Sequence, residues 1–319
     1  MKKSTKLMIA GGIASSAAAI STYSVARYFF NYAIVRNDKR KKGGSETENT
    51  EQIAEYKDII EEGKEWIKQQ KKKTVYMKSR DGLILAADLI MSKESKGVII
   101  LSHGYRSTPF SDFSCIAKYY YDKGYSLLLI YHRACGKSQG KYITFGVKES
   151  EDIADWAHWT SKRFGKRQDI FLHGLSMGST AVLMACDSNL PDEIRGIIAD
   201  CGFTTPRDIF KHLIEKDYPI MVLPLLSVME RIAKKKAHFS FSEKSTIVAL
   251  ERNKIPVLFV HGDQDDFVPT KMTYDNYNAC ESEKEIIIIQ GAKHGMSYLI
   301  DSKRCQKVLD SFLEKHGRN

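Results

Sequence analysis

The pentapeptide Gly174-Leu175-Ser176-Met177-Gly178 sets a serine between two glycines, directly after the apolar run Ile170-Phe171-Leu172-His173. Where a strand turns sharply into a helix at such a serine, the hydroxyl is lifted above the sheet edge, and the glycines permit the turn. A serine hydroxyl is a weak nucleophile and needs a base to take its proton. Of nine histidines, only His294 and His316 lie beyond the Asp265 region, and His316 is in the terminal tail. His294 sits in Gly291-Ala292-Lys293-His294-Gly295, straight after the last apolar run. A loop there points to the carboxyl edge of a parallel sheet, where ligands bind. The chemistry these residues could do is acyl transfer, with Ser176 as nucleophile and His294 as base.

A third group must orient the imidazole and stabilise its charged form. The stretch His261-Gly262-Asp263-Gln264-Asp265-Asp266-Phe267-Val268-Pro269 offers three carboxylates after the preceding apolar run. Asp265 is the expected acid, Asp263 suits a turn-stabilising role, and Asp200 is the rival after another run. The tetrahedral oxyanion needs donors, expected from the backbone N–H groups of Met177 and Tyr105. Such a donor contributes about 3–4 kcal/mol to the transition state. His103 reads as structural, His132 and His173 as core or loop histidines, and Cys135 and Cys201 as packing residues. No cofactor and no metal are expected.

These residues need elements that carry them to one edge. Strands are expected at Thr74–Ser79, Leu83–Ile90, Val98–Ser102, Ser126–Tyr131, Asp169–His173, Gly196–Ala199, Ile255–His261 and Glu285–Ile289. Helices are expected at Asp112–Lys123, Val147–Arg163, from Ser176, and at Ser302–Lys315. This alternation implies an α/β fold, a mostly parallel sheet flanked by helices, with an antiparallel hairpin at one edge. Residues 204–253 exceed a usual connection and read as a small helical cap. Its run Tyr218–Leu226 would either line an acyl pocket or pack the cap onto the core.

Leu7 to Ala26 holds no charge, and Lys2, Lys3 and Lys6 precede it. Such a length can span a bilayer, and apolar residues resume from Tyr28 to Val35. Residues 1–38 are therefore read as a membrane anchor or a signal segment; a retained single-pass anchor accommodates the continuation better than a cleaved peptide. Residues 39–73 read as a linker and lead-in helix, and 74–316 as the main domain. The basic cluster after the span places that domain in the cytoplasm; secretion is the alternative.

The net charge of +10 does not indicate nucleic acid. Residues 1–80 carry 17 Lys+Arg against 9 Asp+Glu, which leaves the rest near neutral. The excess is better suited to anionic lipid beside the apolar segment. Six cysteines show no CxxC pair and no disulfide framework, so free thiols are expected.

Several landmarks occur in order: Ser79-Arg80-Asp81-Gly82-Leu83, His103-Gly104-Tyr105, Arg133-Ala134-Cys135-Gly136-Lys137-Ser138, Gly174–Gly178, Asp200-Cys201-Gly202-Phe203, His261–Pro269 and Ala292–Gly295. With these the sequence resembles the α/β-hydrolase superfamily over roughly residues 52–316. It looks most like the bacterial branch of serine aminopeptidases and monoglyceride lipases. The resemblance implies that Ser176, Asp265 and His294 form the triad, with Tyr105 and Met177 at the oxyanion. It departs at Tyr131-His132, where an aspartate often ends the strand. The expected function is a membrane-associated carboxylesterase or lipase-like hydrolase, acting on an acyl ester or lipid-like substrate. The alternatives are a serine aminopeptidase, holding the substrate amine with Glu215, Asp217 or Glu230, and a non-catalytic binding or scaffold protein.

Overall fold

Strands in the middle of this chain are mostly apolar runs with residues to bury on both faces, which only a sheet covered on both faces can do. In the computed structural model, which describes residues 21–37, 50–217 and 219–318, that covering is complete. Strands β1 (Lys72–Lys78), β2 (Ile84–Ile90), β3 (Gly97–Ser102), β4 (Tyr125–Ile130), β5 (Asp169–Leu175), β6 (Ile194–Asp200), β7 (Val257–Gly262) and β8 (Lys284–Ile289) form one sheet. Their order is β1-β2-β4-β3-β5-β6-β7-β8. β1 and β2 pair antiparallel, as does β2 with β4, and the remaining pairs are parallel. Each expected strand is present, with ends shifted by a residue or two.

Alternate residues of each central strand face opposite layers. Val98, Ile100, Ile170 and Leu172 join Ile153 and Trp156 of helix α3 and Ala181 of helix α4. Ile99, Leu101 and Phe171 join Ile116 and Tyr120 of helix α2 and Leu309 and Phe312 of helix α8. These helices are α2 (Ser114–Asp122), α3 (Val147–Phe164), α4 (Met177–Met184) and α8 (Ser302–His316); α1 is the lead-in helix Lys57–Gln69. The expected lead-in lies on the domain: Ile67 is buried, and Ile53 and Tyr56 pack against the same cluster as α2. The cap holds α5 (Pro206–Asp217) and α6 (Val222–Ala237), and α7 is Thr270–Ala279. Val222, Leu225 and Leu226 are buried while Ile220 is 92% exposed, so the cap's apolar run is packed along one side only.

Two landmark motifs are structural. Arg133 reaches Asp152 through Nε and Nη2, each at 2.7 Å, and Asp81 through Nη1 at 2.7 Å. This ties the β1–β2 turn to α3 and the loop after β4.

The N-terminal segment is described only from residue 21. Among the described residues no helix is long and apolar enough to cross a membrane. Leu7 to Ile20 of the expected span lie outside the described residues, as does the linker at 38–49. Residues 21–33 are helical, with one face against the protein and Tyr23, Val25, Tyr28 and Tyr32 exposed on the other. Ala26, Phe30 and Ile34 are fully buried with Phe145, Met177 and the cap residues Leu225, Leu226 and Met229. Their spacing of four residues is one face of a helix, and Val35 bridges Tyr142. Within the run from Tyr28 to Val35, Phe29, Phe30, Ala33, Ile34 and Val35 pack on this domain, while Tyr28 and Tyr32 are exposed.

Candidate active site

The turn after β5 carries Ser176 at φ 56° and ψ −118°, a conformation an L-residue adopts only when its surroundings impose it. Ser176 N–H donates to Asp200 O at 2.8 Å, and Ser176 O accepts from Thr180 N at 3.0 Å. Both glycines of the motif are required by close approach. A Cβ at 174 would lie 2.3 Å from Gly178 O, and one at 178 would lie 1.9 Å from Ser102 O. The serine therefore stands at the N-terminus of α4, where the expected strand–turn–helix places it.

The loops after β7 and β8 bring the other two groups to it. His294 Nε2 lies 2.8 Å from Ser176 Oγ, and His294 Nδ1 lies 2.6 Å from Asp265 Oδ2. Asp265 is thus the acid that meets His294. Asp263 braces the loops instead, its Oδ1 accepting from Gly291 N at 2.7 Å. Ser176, Asp265 and His294 are each at most 6% exposed, so bulk water barely reaches them.

Asp265 is saturated with donors. Its Oδ1 accepts from Phe267 N at 3.0 Å and Val268 N at 2.8 Å. Its Oδ2 accepts from His294 and also from His261 Nε2 at 2.9 Å. Burial opposes its ionisation, but the His294 and His261 imidazoles outweigh this and hold the carboxyl below its ordinary value. Burial likewise disfavours a charged His294, and the adjacent Asp265 carboxylate more than compensates, so its pKa is raised. Asp200 is different. Burial pushes its carboxyl up to about 6, and its Oδ1 has no hydrogen-bond partner among the described residues.

His261 was not singled out by its residue type, yet it is the second imidazole on Asp265. Its Nε2 faces two acceptors, Asp265 Oδ2 and Val268 O, so that nitrogen carries the proton. Its Nδ1 then accepts from Thr273 Oγ1 at 2.6 Å. The signal was its place at the end of β7, four residues before the acid. Gln52 gave no such signal. Its Nε2 donates to Gly291 O at 2.7 Å and its Oε1 accepts from Lys293 N at 3.1 Å, clamping the loop that carries His294.

The loop after β3 supplies Tyr105. His103 is fully buried beneath it. His132 N–H donates to His103 Nε2 at 3.1 Å, so Nδ1 bears the proton and donates to Gly104 O at 2.8 Å. Gly104 N–H donates to Asp112 Oδ2 at 2.6 Å. A Cβ at 104 would sit 3.4 Å from Ser176 Cβ, which places this loop against the serine. Met177 N–H opens α4, where helix geometry leaves backbone donors without intrahelical partners.

The six cysteines are free. Cys201 lies near the site. Its Sγ and ligand atoms of Asp265 and His294 are all within 4.8 Å of one another. Two of that set are already joined to each other, so a cation there would displace the proton between Asp265 and His294. His132 and His173 are buried, and burial lowers the His173 pKa to about 3. Of the carboxylates considered for an amine, Glu230 is occupied by Arg207, Ser240 and Phe241 N. Glu215 lines a cleft with Lys211, His212 and Asp275.

This geometry sits inside a recognised family. The prolyl oligopeptidase family model matches residues 107–318. The chain belongs to the prolyl oligopeptidase family. The superfamily resemblance therefore holds at the level of the α/β-hydrolases. A curated relative is the uncharacterized protein YqkD of Bacillus subtilis (strain 168), 24% identical over 250 residues, 78% of this chain and 82% of that one. Among solved structures, the esterase Pf2001 of Pyrococcus furiosus aligns at TM-score 0.64 and 19% identity, over 82% of this chain and 94% of its own. Est1E of Butyrivibrio proteoclasticus, with ferulic acid bound, aligns at TM-score 0.59 and 20% identity, over 76% and 98%. Identities this low show a shared fold, the α/β-hydrolase fold. Membership of the prolyl oligopeptidase family and that fold make the chain a serine hydrolase.

Proposed function

We propose that the chain cleaves carboxylic acyl esters through an acyl-enzyme on Ser176. The observation that carries this reading is the unbroken hydrogen-bonded line from Ser176 Oγ to His294 Nε2 at 2.8 Å and from His294 Nδ1 to Asp265 Oδ2 at 2.6 Å. Asp265 accepts the Nδ1 proton and so leaves Nε2 unprotonated to receive the serine proton. Ser176 Oγ attacks the ester carbonyl as His294 takes that proton. The oxyanion is met by the N–H groups of Met177 and Tyr105. His294 then protonates the departing alkoxide, and the acyl-enzyme falls to a water deprotonated by the same nitrogen.

An apolar acyl group suits the surroundings. Met177, Phe145, Phe203 and Val268 belong to one buried apolar cluster with the cap. The esterases among the similar structures support an ester over an amide. The prolyl oligopeptidase family match supports peptidase activity as the second reading. Hydrolysis of p-nitrophenyl esters from acetate to palmitate, beside aminoacyl p-nitroanilides, separates the two. Ester turnover that vanishes in Ser176→Ala supports the esterase. Turnover of the anilides alone sinks it in favour of the peptidase. We assign any membrane attachment to residues 1–20, since 21–37 are packed on the domain. Membrane fractionation of the full chain and of a form lacking 1–20 tests this, and equal partitioning of both contradicts it.

A further inference from the structure

The N-terminal segment and the loop after β3 are joined by bonds that neither the anchor reading nor the triad explains. Gly104 to Ser107 forms a turn, closed by Ser107 N–H to Gly104 O at 3.4 Å. Its third residue, Arg106, is at φ 51°, in the left-handed region that favours glycine. A tight turn with positive φ at this position holds only if the neighbouring groups fix it.

Those groups come from residues 32–35. Tyr105 Oη donates to Ala33 O at 2.8 Å. Arg106 Nη2 donates to Tyr32 O at 2.8 Å and to Val35 O at 2.7 Å. Arg106 Nε donates to Tyr105 Oη at 2.6 Å, and its guanidinium lies 5.2 Å from the Tyr105 ring centre. Tyr32 and Ala33 end the helix over 21–33, and Val35 follows two residues beyond it. A helix end presents carbonyls without intrahelical donors and a partial negative charge, which a planar guanidinium matches well.

The helix end is itself fixed to the domain. Arg36 N–H donates to Lys141 O at 2.8 Å, and Ile143 N–H donates to Ile34 O at 2.8 Å. Arg36 Nη1 and Nη2 donate to Ser138 O at 2.6 Å and Gly136 O at 2.9 Å. The turn thus hangs between Asp112, which holds Gly104, and the helix end, which holds Tyr105 and Arg106.

We propose that residues 32–36 are a positioning element of the oxyanion hole, the carbonyls of Tyr32, Ala33 and Val35 holding Tyr105 and Arg106 so that Tyr105 N–H stays beside Ser176. The inference rests on the hydrolase reading above. Tyr105 and Arg106 side chains are positioning groups; the reacting atoms meet only the backbone N–H. Displacement of a positioned group by about 1 Å costs roughly 100-fold in rate.

The test uses the full chain as wild type, Tyr105→Phe, Arg106→Ala and Arg106→Gly. It measures kcat and KM on p-nitrophenyl butyrate, fluorophosphonate labelling rate and thermal unfolding. Tyr105→Phe keeps ring and N–H and loses only the hydroxyl bonds; Arg106→Gly relaxes the turn while removing the guanidinium. The expected result is a kcat and labelling rate lowered roughly 10- to 100-fold in both Arg106 variants, and by less in Tyr105→Phe. KM should stay within about twofold, because binding surface is untouched. Tyr28→Ala, on the exposed face of the same helix, should match wild type. Unchanged kcat in folded Tyr105→Phe and Arg106→Ala overturns the proposal. So does a raised KM at constant kcat, which marks a pocket wall, or full activity in Arg106→Gly, which makes the backbone sufficient. A wild type that neither labels nor turns over ester sinks the hydrolase reading and the inference together; an active wild type with unaffected variants sinks the inference alone.

Discussion

At the residue scale, catalysis depends on which carboxylate serves His294. Asp265 accepts its Nδ1 proton, whereas Asp200 acts on it only through space. Asp265→Asn should therefore cost kcat roughly 10⁴-fold, as loss of the orienting acid does in other serine triads. Asp200→Asn should leave kcat within about 10-fold. The base must be neutral to act, so activity falls as pH drops through the His294 pKa. That pKa is raised, so the acid limb of the kcat/KM profile should lie above the ordinary histidine value of 6.5. Asp200 contributes to the raise, and Asp200→Asn should move the limb to lower pH. A limb that does not move, or a collapse of kcat in Asp200→Asn, would show that the acids are wrongly assigned.

The residues of this site were readable to the degree that their signals are local. Ser176 announced itself through two glycines, each of which is required by contacts of 2.3 Å or less to a phantom Cβ. His294 followed by elimination, and Asp265 by its place in the loop after β7. His261 looked like part of a turn motif because sequence carries no sign that its ring reaches Asp265. Gln52 acts across 241 residues, a separation at which composition and spacing are silent.

At the element scale, the strands were legible because apolar runs bounded by turn residues have few other solutions. Gly97 to Ser102 is buried throughout and could only be an inner strand. The single expected helix Asp112–Lys123 is broken at Phe113 into two pieces. Its break coincides with Asp112 turning to hold Gly104 and Ser107. Arg133 joins two of these elements from inside, with Asp152 as its buried partner. Removing one side of a buried ion pair costs about 3–5 kcal/mol. Arg133→Ala should accordingly lower stability by about that amount in a urea titration; a loss below about 1 kcal/mol would mean the pair is solvated. Gln52→Ala should lower kcat severalfold with little change in unfolding midpoint, since it releases the loop of His294 and little core.

At the scale of the whole molecule, residues 21–35 are the part of the N-terminus that the sequence left least legible. A window of uncharged residues cannot tell a lipid-facing helix from one that packs on its own domain. The distinguishing pattern was present in Ala26, Phe30 and Ile34, against the exposed Tyr23, Tyr28 and Tyr32. It was masked by apolar aromatic residues on both faces. Phe30→Ala should destabilise the fold by about 3–5 kcal/mol, and Tyr28→Ala by less than about 0.5 kcal/mol. Equal effects in calorimetry would return residues 21–33 to the role of a tether. The molecule is then a covered, mostly parallel sheet with an N-terminal helix and a cap closing over its carboxyl edge, and that enclosure leaves Ser176 at 5% exposure.

The most direct test of the central claim is intact-mass and peptide mapping after fluorophosphonate treatment of the native full chain. A single phosphonyl adduct on the peptide carrying Ser176, absent in Ser176→Ala and slowed in Asp265→Asn, is the expected result. An adduct on another residue, or none on a folded chain that still hydrolyses esters, would contradict it.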